Sequence, residues 1–127
     1  MTETARGTFE VTVTPRPPDD SGIGCLDLAK TWSGDLTGSG HGLMLSAGDP
    51  TRGSAGYVAL EVVEGTLAGR AGSFALQQLG MMHRGDQDLH YVVVPGSGTG
   101  ELAGITGNMA LTIDDRGHSF ELTYSLE

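Results

Sequence analysis

A glutamate inside an apolar run is the first residue of this sequence equipped for chemistry. Glu61 is surrounded by Val58, Ala59, Leu60, Val62 and Val63, and Tyr57, four residues earlier, shares its face of a strand. If that face is the interior, loss of solvent favours the neutral carboxyl. That would leave a neutral acid or a strong base of the kind isomerases use. On an outer face, or held by a backbone or Arg partner, Glu61 is an ordinary carboxylate. Glu10 is the second candidate acid, but its alternation sets it opposite Phe9, Val11 and Val13. Trp32, Tyr57, Phe74, Met109 and Tyr124 can line a ligand cavity with Gln78 as a polar orienting group, or simply fill a core.

Other constellations lead less far. His41, His83, His90 and His118 lack metal-ligand spacing, and the single Cys25 supplies no thiolate set, so a structural zinc is not expected. His83 and His90 flank an acidic stretch, and His118 opens the last apolar alternation, where the end of a barrel would lie. Gly96 to Gly100 invites comparison with a phosphate loop, yet no Lys follows and the chain runs on into another strand rather than a helix. Ser97 has Pro95 where a nucleophile elbow needs its first Gly. These glycines are expected to supply a bulge and positive φ angles at a sheet corner.

The elements that must position these residues follow from glycine and alternation. The chain has 21 Gly and 5 Pro in 127 residues, scattered so evenly that no helix of ordinary length, about 11–12 residues, escapes one of them. A helical bundle is excluded, and the glycines keep no collagen period. Residues 8–14 alternate cleanly and form a half-buried strand, and a Pro-rich loop follows. Further strands are expected over 25–33, 35–46, 57–67, 73–82, 89–94 with a continuation over 99–103, 105–113 and 118–126. Gly38, Gly40 and Gly42 suit a strongly curved strand or the close approach of another group. About eight sequential strands with short connections predict a single all-β domain over 1–127, an eight-stranded antiparallel up-and-down β-barrel, with an open sandwich as the alternative. Strand 57–67 carries Val58, Leu60 and Val62 on one face and Tyr57, Ala59, Val63 and Leu67 on the other. Both faces are apolar, so the outer one is expected to be covered by another copy of the chain.

Charge narrows the partners. Sixteen acids against one Lys and six Arg give a formal charge of −9 spread along the chain, a field that repels phosphate backbones and argues against nucleic acid. No apolar run approaches the ~20 residues of a membrane span, and no basic amphipathic stretch offers a membrane surface. The polar residues 1–7 do not read as a signal peptide, and one Cys cannot form an internal disulfide, so the expectation is a cytoplasmic protein.

Three blocks carry a resemblance. Thr31-Trp32-Ser33-Gly34-Asp35-Leu36 is similar to the aromatic-Ser-Gly-Asp-Leu of plant allene oxide cyclases. The run from Tyr57 through Glu61, Gly65, Leu67, Gly69, Gly72 and Phe74 resembles the central hairpin of a small bacterial domain family of unknown function. The stretch from Gly96 to Gly107 resembles the Gly-Ser-Gly segment that the cyclases share with dirigent proteins. The resemblance implies an allene oxide cyclase-like barrel, often oligomeric, with a cavity for an apolar substrate and cofactor-free isomerisation or cyclisation by conformational confinement. The cyclases' Glu lies on their first strand, where Glu10 is the nearest counterpart; the polar neighbours that hold their bound water have no matching residues here.

Three readings follow: a cofactor-free isomerase using Glu61 or Glu10; a carrier with the same cavity and no chemistry; or a packed barrel that acts as an oligomeric interaction module. A cavity with Glu61 or Glu10 on its wall favours the first, a cavity without an ionisable group the second, and a filled interior the third.

Overall fold

The computed structural model describes residues 2–126; Met1 and Glu127 lie outside it. Nearly every described residue outside the turns is in a strand: β1 Glu3–Pro15, β2 Gly24–Gly34, β3 Leu36–Asp49, β4 Ser54–Leu67, β5 Arg70–His83, β6 Asp86–Val93, β7 Thr99–Gly100, β8 Thr106–Asp114 and β9 Gly117–Ser125. The strands are longer than alternation alone indicates because they continue past the core. Only a short 3₁₀ turn, Pro50–Arg52, interrupts them.

All pairings are antiparallel, in the order β4-β3-β2-β1-β9-β8-β6-β5, and β4 pairs with β5 to close the sheet into an eight-stranded barrel. Each ladder holds one register throughout, so inward and outward positions alternate without a slip from strand to strand. The seam between β6 and β8 is the loosest, with one bridging pair, Val92 and Asn108.

The glycine-rich stretch after β6 departs from the expected strand continuation. Only Thr99–Gly100 is extended, and it pairs with Gly72 and Ser73 of β5. Beyond it the chain turns, with Leu102 N–H donating to Thr99 O and Ile105 N–H to Leu102 O. This turn sets Leu102 and Ile105, both fully buried, into one end of the barrel as a plug. The expected left-handed backbone is present at Gly96, Gly100 and Gly104. Ser97 joins the turn to the sheet, its hydroxyl donating to Val94 O and accepting from Ala75 N–H, a structural role rather than a nucleophilic one.

The core occupies the plugged half. Trp32, Leu36, Val63, Leu67, Phe74, Leu76, Leu102, Ile105, Phe120 and Leu122 form one contiguous cluster. Towards the other end the inward positions of the same strands become progressively accessible: Phe9, Val11 and Val13 on β1 run from buried to 43% exposed, and Met109, Leu111 and Ile113 on β8 from buried to 68%. That end of the barrel is open.

Candidate functional site

Alternation along β4 turns Tyr57, Ala59, Glu61 and Val63 inward, and Val58, Leu60 and Val62 outward. Glu61 is 3% exposed. Of the alternatives open in the sequence, the structure combines two: the carboxyl faces the interior, and it is held by partners, a Lys, a Trp and a Tyr rather than an Arg. Lys30 on β2, the chain's one lysine, places Nζ 2.8 Å from Glu61 Oε1. Trp32 Nε1 donates to Glu61 Oε2 at 3.0 Å, and the Tyr91 hydroxyl on β6 approaches Oε1 at 3.4 Å while accepting from Lys30 Nζ at 2.9 Å. Burial, and then the neighbouring Glu61 carboxylate, push the Tyr91 phenol far above the ordinary tyrosine range, so it stays protonated and can donate to Glu61.

Glycines on β3 face the pair, Gly40 leaving room for side chains and Gly42 for the close approach of the Leu60 carbonyl. Lys30 pairs across the ladder with Gly40, and Glu61 with Gly42. A Cβ at Gly40 would collide with Glu61 Oε2 and stand 3.1 Å from Trp32 Nε1, so the close approach anticipated from the β3 glycines is made by the Glu61 carboxylate itself. A Cβ at Gly80 would strike the ring of Tyr57, which lies against that backbone and accepts a hydrogen bond from Gln78 Nε2 at 2.7 Å. Burial raises the Tyr57 hydroxyl above its usual range and the bond from Gln78 opposes that shift.

Aromatic rings wall the lysine. Nζ lies 4.7 Å from the centroid of Phe9, 5.2 Å from Trp32 and 5.3 Å from Tyr91. Such a cage stabilises a desolvated cation through the ring quadrupoles. Phe9 contacts Trp32 at 4.8 Å and stacks on His118 at 4.9 Å, and Phe120 meets Trp32 edge-on. Buried inward positions give way to half-buried ones on β4 between Ala59 and Tyr57 and on β2 between Leu28 and Leu26, so the pair lies one inward position below that change.

The candidates from sequence separate accordingly. Glu61 and Trp32 belong to the buried network, while Tyr57 and Gln78 form a hydrogen-bonded pair nearer the open end. Phe74, Met109 and Tyr124 are buried in the core cluster. Glu10 is exposed on the outer face opposite Thr31, away from all of them. His41, His83 and His90 are exposed. Among the described residues no three His, Cys, Asp or Glu side chains gather to hold a metal. Sequence reasoning missed Lys30 and Tyr91. Their signal was parity: Lys30 falls between Leu28 and Trp32, and Tyr91 between Leu89 and Val93, each on an inward face. Two hollows, one of about 470 Å³ beside β6, β8 and β9 with Tyr124 on its wall and one of about 340 Å³ against β1, β8 and β9, are lined by none of Glu61, Glu10 and Lys30.

Comparison with known proteins fits this fold. A model of the DUF3224 family, described as a protein of unknown function, matches residues 5–124. The chain belongs to the DUF3224 family. This DUF3224 protein is also similar to a crystal structure of a protein of unknown function from the same family, from Shewanella oneidensis MR-1. The two share 42% identity, with a TM-score of 0.91 over 100% of this chain and 98% of the other. No curated protein matches. In this DUF3224 barrel no helix among the described residues is long and apolar enough to cross a membrane.

Proposed function

We propose that this DUF3224 barrel binds a small, largely apolar molecule through its open end, above the Lys30–Glu61 pair. One observation carries the reading: an ion pair with both side chains at most 6% exposed sits inside a barrel whose other buried residues are apolar or aromatic, below inward-facing apolar side chains that reach solvent. A buried pair is often no more stabilising than well-packed apolar residues of similar volume. A barrel that needed only to pack would lose nothing by replacing it. Val13, Leu89 and Ile113 at the open end offer apolar surface to a ligand, and the Tyr57–Gln78 pair offers a hydrogen bond to orient it.

Binding is preferred to catalysis because both Glu61 oxygens are engaged, by Lys30 and Tyr91 on one and Trp32 on the other, and Glu10 faces outward. A cofactor-free isomerisation, and the allene oxide cyclase-like placement that implies it, require Glu61 to release those partners when a substrate enters. A cytoplasmic location goes with the same reading, on the strength of the unpaired Cys25.

Titration with the neutral apolar dye N-phenylnaphthylamine tests the proposal. Saturable dye emission, with a parallel change in the fluorescence of Trp32, the one Trp of the chain, is expected. Ile113→Lys at the open end should abolish it. Linear, non-saturating emission, or saturable binding untouched by Ile113→Lys, would refute it.

A further inference from the structure

The outer face of β3, β4 and β5 is the part of the surface least suited to water. Ladder pairing arranges it in rows: Leu43 beside Leu60, then Leu45, Val58 and Leu79, with Val62 beyond the first row and Met81 beyond the second. All seven are large, apolar and between 41% and 58% exposed. They leave on the order of 600 Å² of contiguous apolar surface, at the upper limit of what monomeric proteins expose. With Ala47, Gly56, Ala75 and Gln77 filling the gaps between them, the face approaches the ~800 Å² per partner of a stable protein interface.

Charge identifies the occupant. Of sixteen acids in a chain of formal charge −9, none lies on this face among the rows just described. Asp27, paired with Arg16, bounds it on the β2 side, Asp88 and His90 bound it on the β6 side, and Glu64 stands beyond its β4 end. Elsewhere two copies of so acidic a protein repel one another, and here they can meet with their carboxylates at the rim. The face has no Lys or Arg with which to bind an anionic membrane, and the net charge opposes one.

We infer that two copies of this chain associate through the outer face of β3–β4–β5, about a two-fold axis near Val58 and Leu60. A two-fold contact is self-complementary, so one patch serves both partners. The two curved sheets pack face to face, about 10 Å apart, as the layers of a β-sandwich do. The inference is independent of ligand binding, although β4 serves both: Val58, Leu60 and Val62 alternate with Tyr57, Ala59 and Glu61 on the same strand.

Sedimentation velocity of the full chain at micromolar concentration should give twice the mass of one chain. Leu60→Glu should raise the dimer dissociation constant at least about thirtyfold, as loss of a central apolar anchor does, with circular dichroism unchanged because the side chain leaves no core contact. Leu79→Lys, on the neighbouring strand, gives the same readout if the first variant misfolds. Leu60→Cys in a Cys25→Ser background should form a covalent dimer on mild oxidation. A wild-type monomer at these concentrations would overturn the inference, as would a dimer that survives both charge substitutions. A monomer that instead sediments with phosphatidylcholine vesicles, and loses this with Leu60→Glu, would reassign the face to a membrane.

Discussion

The two ends of this barrel are built from the same strands and differ in what fills them. At the plugged end Leu36, Leu67, Leu102 and Ile105 meet with almost no accessible surface. At the open end the same alternation delivers Val13, Leu89 and Ile113 to positions where no loop covers them. The difference lies in one connection. The turn after β7 folds back under the barrel, held by Leu102 N–H to Thr99 O and Glu101 N–H to Ala71 O. Barrel closure therefore supplies the walls, and a single connection decides which end is core and which is accessible. The Lys30–Glu61 pair lies just inside the boundary, with Leu28 and Ala59 between it and the half-buried positions above.

The sharpest way to probe that boundary is to break the pair. Lys30→Met alone or Glu61→Gln alone should each cost about 3–5 kcal/mol in chemical denaturation, since each strands a buried charge. Lys30→Met combined with Glu61→Leu should recover most of that loss. If the double variant is as unstable as either single one, the pair is structural and the argument for a ligand weakens. Next in size, Leu102→Ala should cost about 2–4 kcal/mol by opening a cavity in the plug. A cost near zero would mean that the plugged end is no better packed than the open one.

A smaller effect is expected at alkaline pH. The phenol of Tyr91 is held above its unfolded-state value of about 10. Above that pH the unfolded chain releases a proton that the folded one retains, so stability is full below it and falls as pH rises. Urea midpoints should decline above that value in the wild type and decline less steeply in Tyr91→Phe; parallel declines would remove Tyr91 as the cause. The smallest change is predicted at the opposite end from the plug. Ile113→Ser should alter stability by no more than about 0.5 kcal/mol while weakening dye binding. A large stability loss there would mean that the open end is closed in solution.

Much of this was legible in residue order. Glycine spacing excluded helices, and alternation put Glu61 with Tyr57 and set Glu10 opposite Phe9, faces that the burial pattern follows. The Gly96–Gly107 segment was readable as a corner but not as a plug. A corner needs only local backbone preference, whereas the plug depends on Thr99 finding Ser73 across the sheet. The network around Glu61 was legible only in part, because Trp32 was a candidate for its ring and not for its Nε1.

By itself the sequence determined which side chains share a face, since a strand's period of two is a local property of its backbone. Tertiary structure alone decided which face is inside and who meets whom there. Lys30, Glu61 and Tyr91 come from three strands about thirty residues apart, and only the register around a closed sheet brings an ammonium, a carboxylate and a phenol together. Register is set by the sum of all the ladders, and no short stretch of residues encodes it.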